Sequence, residues 1–389
     1  MNPSLQGRNS GLDTLRALAI VLVFANHYML FVSGSPTFGW FGEVGWTGVD
    51  LFFALSGYLI GNQILGGMRR SRQSDGAERF SLARFYARRL LRTLPNFYFV
   101  LALYSLWPAF RGTSVLPPLW KFLTFTQNIQ LTPGTAFSHA WSLCVEEQFY
   151  FLLPAVALAI AACRKPLLLA WLAVIGTLLA GMAIRSHLWT QHVGPEEQGG
   201  FQYYTLIYYS SWCRFDELVA GVALALLKNH HAGAWARLTS RGNWALAAGA
   251  ASLALTWSLF LEDHYSYPMT VIGYPMLGLS FTLLLIAALS PGSLLQRLRV
   301  PGAASIALWS YAIYLTHKTL CVLLRAPLQV EGWGPNSWQA IVLMSAASLL
   351  AGWLLHLLVE TPFMKLRDRY VPGNFARPVA PAGAVAYVD

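Results

Sequence analysis

The segment Trp141-Ser-Leu-Cys-Val-Glu-Glu-Gln-Phe-Tyr150 places two adjacent carboxylates, Glu146 and Glu147, at the start of a long apolar run. An apolar run of about 20 residues is long enough to cross a bilayer as an α-helix. A charged side chain at the centre of such a helix costs roughly 3 kcal/mol or more on insertion, so two in a row indicate a function rather than a packing accident. The segment therefore predicts a membrane helix that carries reactive groups.

The composition is that of a polytopic membrane protein. The chain has 389 residues, of which 56% are hydrophobic and 11% are charged, whereas a soluble domain carries about 25% charged residues. The 15 Trp and 17 Tyr residues suit a protein with many lipid–water interfaces. The four cysteines show neither metal-ligand spacing nor a disulfide framework, so no metal site is predicted.

Ten stretches of about 20 residues are predicted to cross the membrane as helices, which gives an all-α polytopic fold. Most of the 27 Lys and Arg residues lie in segments that share one side of the membrane if the N-terminus is cytoplasmic. The positive-inside rule then predicts cytoplasmic N- and C-termini. This placement explains the net charge of +10 without nucleic acid as a partner. The predicted spans are residues 12–32, 47–67, 90–108, 141–163, 166–184, 205–227, 244–261, 271–289, 303–325 and 338–359.

A single membrane-embedded domain is predicted over residues 1–370, followed by a loose cytoplasmic tail over residues 371–389, which is rich in Pro and Ala. The segment from Phe80 to Leu94 alternates Arg with Phe, Tyr and Leu at helical spacing. It is predicted to be an amphipathic helix that leads into the third span. Plain anchoring of its arginines next to anionic membrane lipids is an equally good interpretation.

Ionisable groups on three spans are predicted to lie at one depth. At a rise of about 1.5 Å per residue, His27, Glu147 and His317 each lie roughly 21 Å above the inner membrane face, with Asp50 a little higher. A His beside a carboxylate suits general-base chemistry on a hydroxyl group, because the imidazole takes the proton while the carboxylate fixes its tautomer. A histidine bonded to a backbone carbonyl is the simpler alternative for His27. Lys318 lies too deep to reach either surface easily.

Arginines are predicted at the cytoplasmic side of the same path. Arg16 precedes His27 by about three helical turns and lies on roughly the same helix face, although an Arg near a span end can also extend to the interface. Arg88, Arg89 and Arg92 cluster at the inner membrane surface, where guanidinium groups bind phosphates in a forked geometry. An anionic phosphate carrier that enters from the cytoplasm would meet these arginines first.

Six segments resemble the motifs of the acyltransferase-3 family of membrane proteins, and the resemblance extends from about residue 11 to residue 366. In the fourth-span motif, Cys144 occupies a position that is usually Ser. The matching segments are Leu12-Asp-Thr-Leu-Arg-Ala-Leu-Ala-Ile20 followed by His27, Gly48-Val-Asp-Leu-Phe-Phe-Ala-Leu-Ser-Gly-Tyr-Leu-Ile60, Arg84-Phe-Tyr-Ala-Arg-Arg-Leu-Leu-Arg-Thr-Leu-Pro95, Trp141–Tyr150, Ser310-Tyr-Ala-Ile-Tyr-Leu-Thr-His317 and Val359-Glu-Thr-Pro-Phe363.

The resemblance implies O-acylation of a carbohydrate or glycolipid hydroxyl by acyl-CoA, usually acetyl-CoA, at the bacterial inner (cytoplasmic) membrane. It implies no permanently bound cofactor, and no appended esterase-like domain is expected. His27 would be the general base or a transient acyl acceptor, with Glu146 and Glu147 as further catalytic candidates. The donor-binding candidates are Arg16, Arg88, Arg89 and Arg92, and the candidates for the substrate path are Asp50, Ser56, Tyr150, His317 and Lys318.

A transporter or flippase for a glycolipid or small solute is the alternative hypothesis, because charges within the membrane suit that class equally well. Among them, Arg214, Asp216 and Glu217 either neutralise one another or line the substrate path. No inverted repeat is evident, which counts against a transporter. The outside loops 33–46, 109–140, 185–204 and 262–270 are predicted to select the acceptor, and their aromatic residues, such as Tyr265, are candidate sugar platforms or interface anchors.

Overall fold

The computed structural model describes residues 9–73, 80–194 and 199–373. These residues form helices joined by turns and contain no strand. The prediction of an all-α protein is therefore confirmed. The predicted tail lies outside the described residues from position 374 onward, and the orientation of the two termini remains a prediction.

Eight helices in the described part of the chain are long and apolar enough to cross a membrane. This arrangement is that of a multi-pass membrane protein, as predicted. The eight candidate membrane helices span Ser10–Ser33, Trp40–Ser71, Ser138–Ala161, Pro166–Val193, Gly242–Glu262, Met269–Leu289, Ala303–Val330 and Trp338–Tyr370. The helices used below are α1 (Ser10–Tyr28), α2 (Thr47–Gln73), α3 (Leu82–Leu106), α4 (Trp141–Ala161), α5 (Pro166–Leu188), α6 (Asp216–His230), α7 (Gly242–Glu262), α8 (Tyr274–Leu289), α9 (Ala303–Val330), α10 (Trp338–Leu355) and α11 (Thr361–Tyr370).

The two remaining predicted spans are helical but differ from simple apolar rods. Helix α3 is 25 residues long, but its first half carries four arginines. The predicted span 205–227 is broken into a π-helical turn at Tyr203–Tyr208, a 3₁₀ turn at Ser211–Cys213 and α6. Non-helical backbone at membrane depth is tolerated where protein surrounds it, and Arg214 in this break is fully buried.

Buried ion pairs hold the broken segment to its neighbours. Arg185 of α5 pairs with both oxygens of Asp216, at 2.5 and 2.9 Å. Arg214 pairs with Asp50 of α2 and donates from Nη1 to the carbonyl of Tyr208 at 3.0 Å. Arg214 and Asp216 are therefore neutralised by partners on other helices rather than by one another. Asp50, a candidate for the substrate path, is fully buried in this pair.

Local sequence explains where several helices begin. The side chain of Asn9 accepts a hydrogen bond from the backbone N–H of Leu12 at 2.9 Å, and Ser81 and Ser337 cap α3 and α10 in the same way. Such caps satisfy backbone donors that have no partner within the helix. Pro166 occupies the first turn of α5, where its missing N–H costs nothing.

Glycines allow α2 and α6 to pack with their backbones in contact. A Cβ atom at Gly57 of α2 would lie 2.7 Å from the carbonyl carbon of Leu218, and one at Gly221 of α6 would lie 2.5 Å from the backbone nitrogen of Tyr58. Small residues at such crossings let membrane helices approach closely. Gly48 of α2, and Gly45 in the 3₁₀ turn just before it, face the backbone of α1, so α2 lies in the middle of the bundle.

Gly57→Ala or Gly221→Ala is expected to lower stability by about 1–3 kcal/mol, because the added methyl group forces two backbones apart. The readout is the thermal unfolding midpoint of the purified protein. Gly176→Ala in α5 is the matched control, since no atom lies within 4 Å of its Cβ position, and it should leave stability equal or raise it by up to about 1 kcal/mol. Equal midpoints for all three variants would contradict this packing.

Candidate active site

Two of the cavities in the described part of the chain have polar linings, and most of the predicted site residues line one or the other. The first, here the arginine chamber, has a volume of about 330 Å³ and the second, the histidine chamber, about 310 Å³. The polar lining of the arginine chamber includes Arg16, Ser56, Arg89, Arg92, Glu146, Glu147, Tyr150, Tyr311, Tyr314 and Glu360. The histidine chamber is lined by groups that include Asn26, His27, Glu43, Trp46, Ser138, His139, Trp141, Tyr204, Tyr208, Tyr209, His264 and Tyr265.

The carboxylate pair of α4 binds an arginine of α3. Nε of Arg89 lies 3.4 Å from Oε1 of Glu147, and Nη2 of Arg89 lies 4.0 Å from Oε2 of Glu146. The Arg89 guanidinium also lies 3.8 Å from the ring centroid of Tyr150. Ser56 of α2 donates to Glu146 at 2.8 Å. The two carboxylates therefore position a buried guanidinium within the arginine chamber.

Arg92 is the guanidinium of this chamber that is most open to a ligand. It lies one helical turn beyond Arg89, so both side chains share a face of α3. Within the described residues Arg92 forms no hydrogen bond or ion pair, and its side chain is exposed. Glu360, the third acid of the chamber, is bound by Asn96 and His356 at 3.0 and 3.2 Å. Arg16 lines the same chamber.

Arg88 lies apart from the other predicted donor-binding arginines. Its Nη2 pairs with Oδ1 of Asp368 at 2.9 Å and its Nη1 donates to the carbonyl of Val371 at 2.5 Å. These contacts attach α11 and the segment after it to α3. Arg88 follows a different face of α3 from Arg89 because adjacent helical residues point about 100° apart. The structure therefore brings together Arg16, Arg89 and Arg92 and leaves Arg88 outside the chamber.

His27 contacts a second histidine rather than a carboxylate. Its Nδ1 lies 2.8 Å from Nε2 of His317 on α9, and Nδ1 of His317 lies 2.8 Å from the carbonyl oxygen of Ile313. The expected pairing of His27 with Glu146 or Glu147 is therefore not what the structure shows. The imidazole of His27 is oriented by a nitrogen atom of the His317 ring.

His139 is a member of this group that the sequence did not reveal. Its ring centroid lies 6.0 Å from that of His27 and 6.1 Å from that of His317. It occupies the 3₁₀ turn Ser138–Ala140 directly before α4. The only available signal was its position two residues before the Trp141 motif, where it looked like a loop residue. Among the described residues no group of His, Cys, Asp or Glu has metal-binding geometry.

Lys318 remains at the level of the histidines. Its Nζ lies 3.4 Å from Oγ of Ser138 and 3.7 Å above the ring centroid of Phe31. The ammonium group is thus held by a hydroxyl and an aromatic face rather than extended to a membrane surface. A cation over a ring is stabilised by the ring quadrupole.

A thin wall separates the two chambers. Tyr314 donates to the carbonyl of His139 at 2.5 Å, and Ser142 donates to the Tyr314 hydroxyl at 2.7 Å. Val49 lines both chambers. At the helical rise of about 1.5 Å per residue, Glu146 lies about 10 Å along the helix direction from His139. The carboxylates and His27 therefore lie on opposite sides of this wall.

The family assignment follows from comparison with known proteins. A family model described as "Acyltransferase domain" matches residues 9–357. This chain belongs to the acyltransferase-3 family. The match includes the residues that line both chambers, except Glu360, and all of the residues that form the wall between them. The described helices and the bacterial relatives agree with a multi-pass protein of the bacterial cytoplasmic membrane.

Several curated bacterial relatives match most of this chain. Peptidoglycan O-acetyltransferase OatA of Listeria monocytogenes is 27% identical over 377 residues, which cover 91% of this chain and 55% of the relative. O-acetyltransferase OatA of Staphylococcus aureus is 24% identical, with 95% and 60% covered. This chain thus spans slightly more than half the length of these relatives. No solved structure matches the chain.

Arg89→Met is expected to destabilise the protein by about 3–5 kcal/mol, because it leaves two carboxylates buried without their partner. The triple variant Arg89→Met/Glu146→Gln/Glu147→Gln should recover most of this loss. Arg88→Gln is the control, because its ion pair is partly exposed and is worth about 1 kcal/mol or less. Thermal unfolding midpoints measure all three effects. Equal losses of stability for Arg88→Gln and Arg89→Met would contradict the assignment of Arg89 as the partner of Glu146 and Glu147.

Proposed function

We propose that this protein is a membrane O-acyltransferase that moves an acyl group, most simply acetyl, from cytoplasmic acyl-CoA to a hydroxyl of an extracytoplasmic carbohydrate. The observation that carries the proposal is the pair of chambers with opposite chemistry that meet at Val49, Ser142 and Tyr314. One chamber presents guanidinium groups and the other presents histidines and aromatic rings. Relatives named as peptidoglycan or other O-acetyltransferases support the same reaction class.

The arginine chamber suits the donor. Coenzyme A carries several phosphate groups, and planar guanidinium groups bind phosphate through two parallel hydrogen bonds. Arg16 and Arg92 line the chamber, while Arg89 is held in place by Glu146 and Glu147. In this assignment Arg92 binds a phosphate directly, and the thioester end of the donor extends towards the wall.

The histidine chamber suits an uncharged, hydroxyl-bearing acceptor. Its rings include Trp46, Tyr204 and Tyr265, which offer flat faces to a sugar ring. Within the described residues no Lys or Arg lines it, and Glu43 is its single acidic group. Burial, and then nearby Arg214, lower the pKa of His264 to about 4, so this histidine adds no positive charge at neutral pH. The nearest ammonium group, that of Lys318, lies behind Ser138 and Phe31 and is engaged by them.

His27 supplies the base in this reaction. Its Nε2 takes the proton of the acceptor hydroxyl as the oxygen attacks the thioester carbonyl. The C–S bond then breaks, and the proton returns to the coenzyme A thiolate. An acyl group carried briefly by His27 Nε2 before transfer to the hydroxyl uses the same nitrogen. Both routes require the thioester to reach His27 past Tyr314.

Replacement of His27 by Ala is expected to lower acyl transfer by about 10²–10⁴-fold, the usual contribution of a general base. Mass spectrometry of surface glycans from cells with wild type, His27→Ala or no protein measures the acyl increment. His187→Ala, an exposed histidine of α5, is the control and should retain wild-type transfer. Unmodified glycans that accumulate on the wrong side of the membrane in cells without the protein would instead support a transporter.

Arg92→Gln is expected to raise the KM for acetyl-CoA by about 10-fold or more, because one charge-assisted phosphate contact is lost. Purified protein in lipid nanodiscs, with acetyl-CoA and a soluble oligosaccharide acceptor, provides the assay. Arg88→Gln should leave this KM within about 2-fold, since Arg88 is bound to Asp368 and lies outside the chamber. Equal effects of both variants would argue against the arginine chamber as the donor site.

A further inference from the structure

We infer that His317 is a positioning residue that holds His27 in the one tautomer whose Nε2 is free to accept a proton. This inference rests on the proposed function and assigns a role to a side chain that does not itself need to contact substrate. It follows from a chain of two hydrogen bonds that runs from a backbone carbonyl of α9 to the imidazole of α1.

The first step is the geometry of the two rings. The planes of His27 and His317 differ by only 4°, and their centroids are 5.0 Å apart. Stacked rings are separated by about 3.5 Å at van der Waals contact, so stacking is incompatible with the nitrogen–nitrogen distance of 2.8 Å. The rings therefore meet edge to edge in a common plane. The lone pair of an imidazole nitrogen lies in this plane, so the contact is a well-directed hydrogen bond.

The second step fixes the positions of the protons. A carbonyl oxygen only accepts hydrogen bonds, so the contact with Ile313 requires the proton of His317 to lie on Nδ1. In the neutral ring, Nε2 of His317 is then an acceptor. Nδ1 of His27 must consequently donate to it, which leaves Nε2 of the neutral His27 ring with its lone pair free. The protein backbone thus determines which nitrogen of His27 is basic.

The third step is the rigidity of this arrangement. His317 is only 1% exposed and lies between the rings of Phe24 and Tyr314, at centroid distances of 6.0 and 6.2 Å. The backbone of Ile313 is itself in close contact with α10, because a Cβ atom at Gly352 would lie 3.1 Å from the Ile313 nitrogen. The carbonyl group of Ile313, from which the two hydrogen bonds run to His27, is therefore held in place by a neighbouring helix.

Two replacements of His317 separate positioning from packing. His317→Gln retains a side-chain oxygen that can accept from Nδ1–H of His27, whereas His317→Leu fills similar space without an acceptor. His317→Leu is expected to lower kcat on the order of 10²-fold or more while the KM for acetyl-CoA stays within about 2-fold, as for the loss of a group that fixes a catalytic tautomer. His317→Gln should recover to within about 10-fold of wild type.

A spectroscopic measurement tests the same point without the reaction. Nitrogen NMR of histidine-labelled protein in nanodiscs, with the His27 signals assigned from His27→Ala, should show a protonated Nδ1 and an unprotonated Nε2 in wild type and His317→Gln. His317→Leu should lose this single tautomer. Cys321→Ala, one turn further along α9 and hydrogen-bonded to Ser348, is the control and should change neither kcat nor the tautomer.

The outcomes distinguish this inference from the proposed function. A wild-type protein that transfers no acyl group but shows the predicted tautomer would contradict the proposed function alone. A proton on Nε2 of His27 in the wild type, or full kcat in His317→Leu, would overturn the inference while leaving acyl transfer intact. Equal losses in His317→Gln and His317→Leu, with both variants folded, would also overturn it, because the acceptor atom would then make no difference.

Discussion

The bundle depends on the pairing of buried charges across helices. Removing one partner of a buried ion pair costs about 3–5 kcal/mol because the other charge is left without compensation. Arg185 with Asp216 and Arg214 with Asp50 therefore constrain where α2, α5 and α6 lie relative to one another. The ion pairs of Arg214 and Asp216 also fix the non-helical backbone between Tyr208 and Asp216. Tyr204, Tyr208 and Tyr209, at the start of this break, line the histidine chamber. Charges that look costly for a membrane protein thus shape the histidine chamber.

The sequence predicted the helical membrane fold from composition and from the lengths of apolar runs, because these follow directly from the thickness of a bilayer. It also identified part of the lining of the two chambers, namely His27, Arg16, Ser56, Arg89, Arg92, Glu146, Glu147 and Tyr150, but not His139, His264, Tyr314 or Glu360. The sequence did not show which of these residues lie together in one chamber. Depth estimated from helix ends placed Glu147 level with His27. In the structure these two residues line different chambers, and the wall of Tyr314 and Ser142 lies between them.

The sequence also did not predict in which direction each side chain points around its helix. Arg88 and Arg89 are neighbours in the chain, but one binds Asp368 while the other binds the carboxylates of α4. The sequence showed that arginines gather at one end of α3, and only the packing of α4 and α11 decides which of them enters the chamber. The histidine pair is similar, because residues 290 positions apart in sequence form it, and no local pattern predicts such a contact.

The wall between the chambers also bears on the electrical integrity of the membrane. A continuous polar path through the protein would let ions run down the membrane potential, with a dissipation of roughly 2.3 kcal/mol for each elementary charge per 100 mV. Val49, Ser142 and Tyr314 interrupt that path, and the hydroxyl groups of Ser142 and Tyr314 are both engaged in hydrogen bonds across the interruption. The protein can therefore hold two polar compartments while remaining an insulator between them.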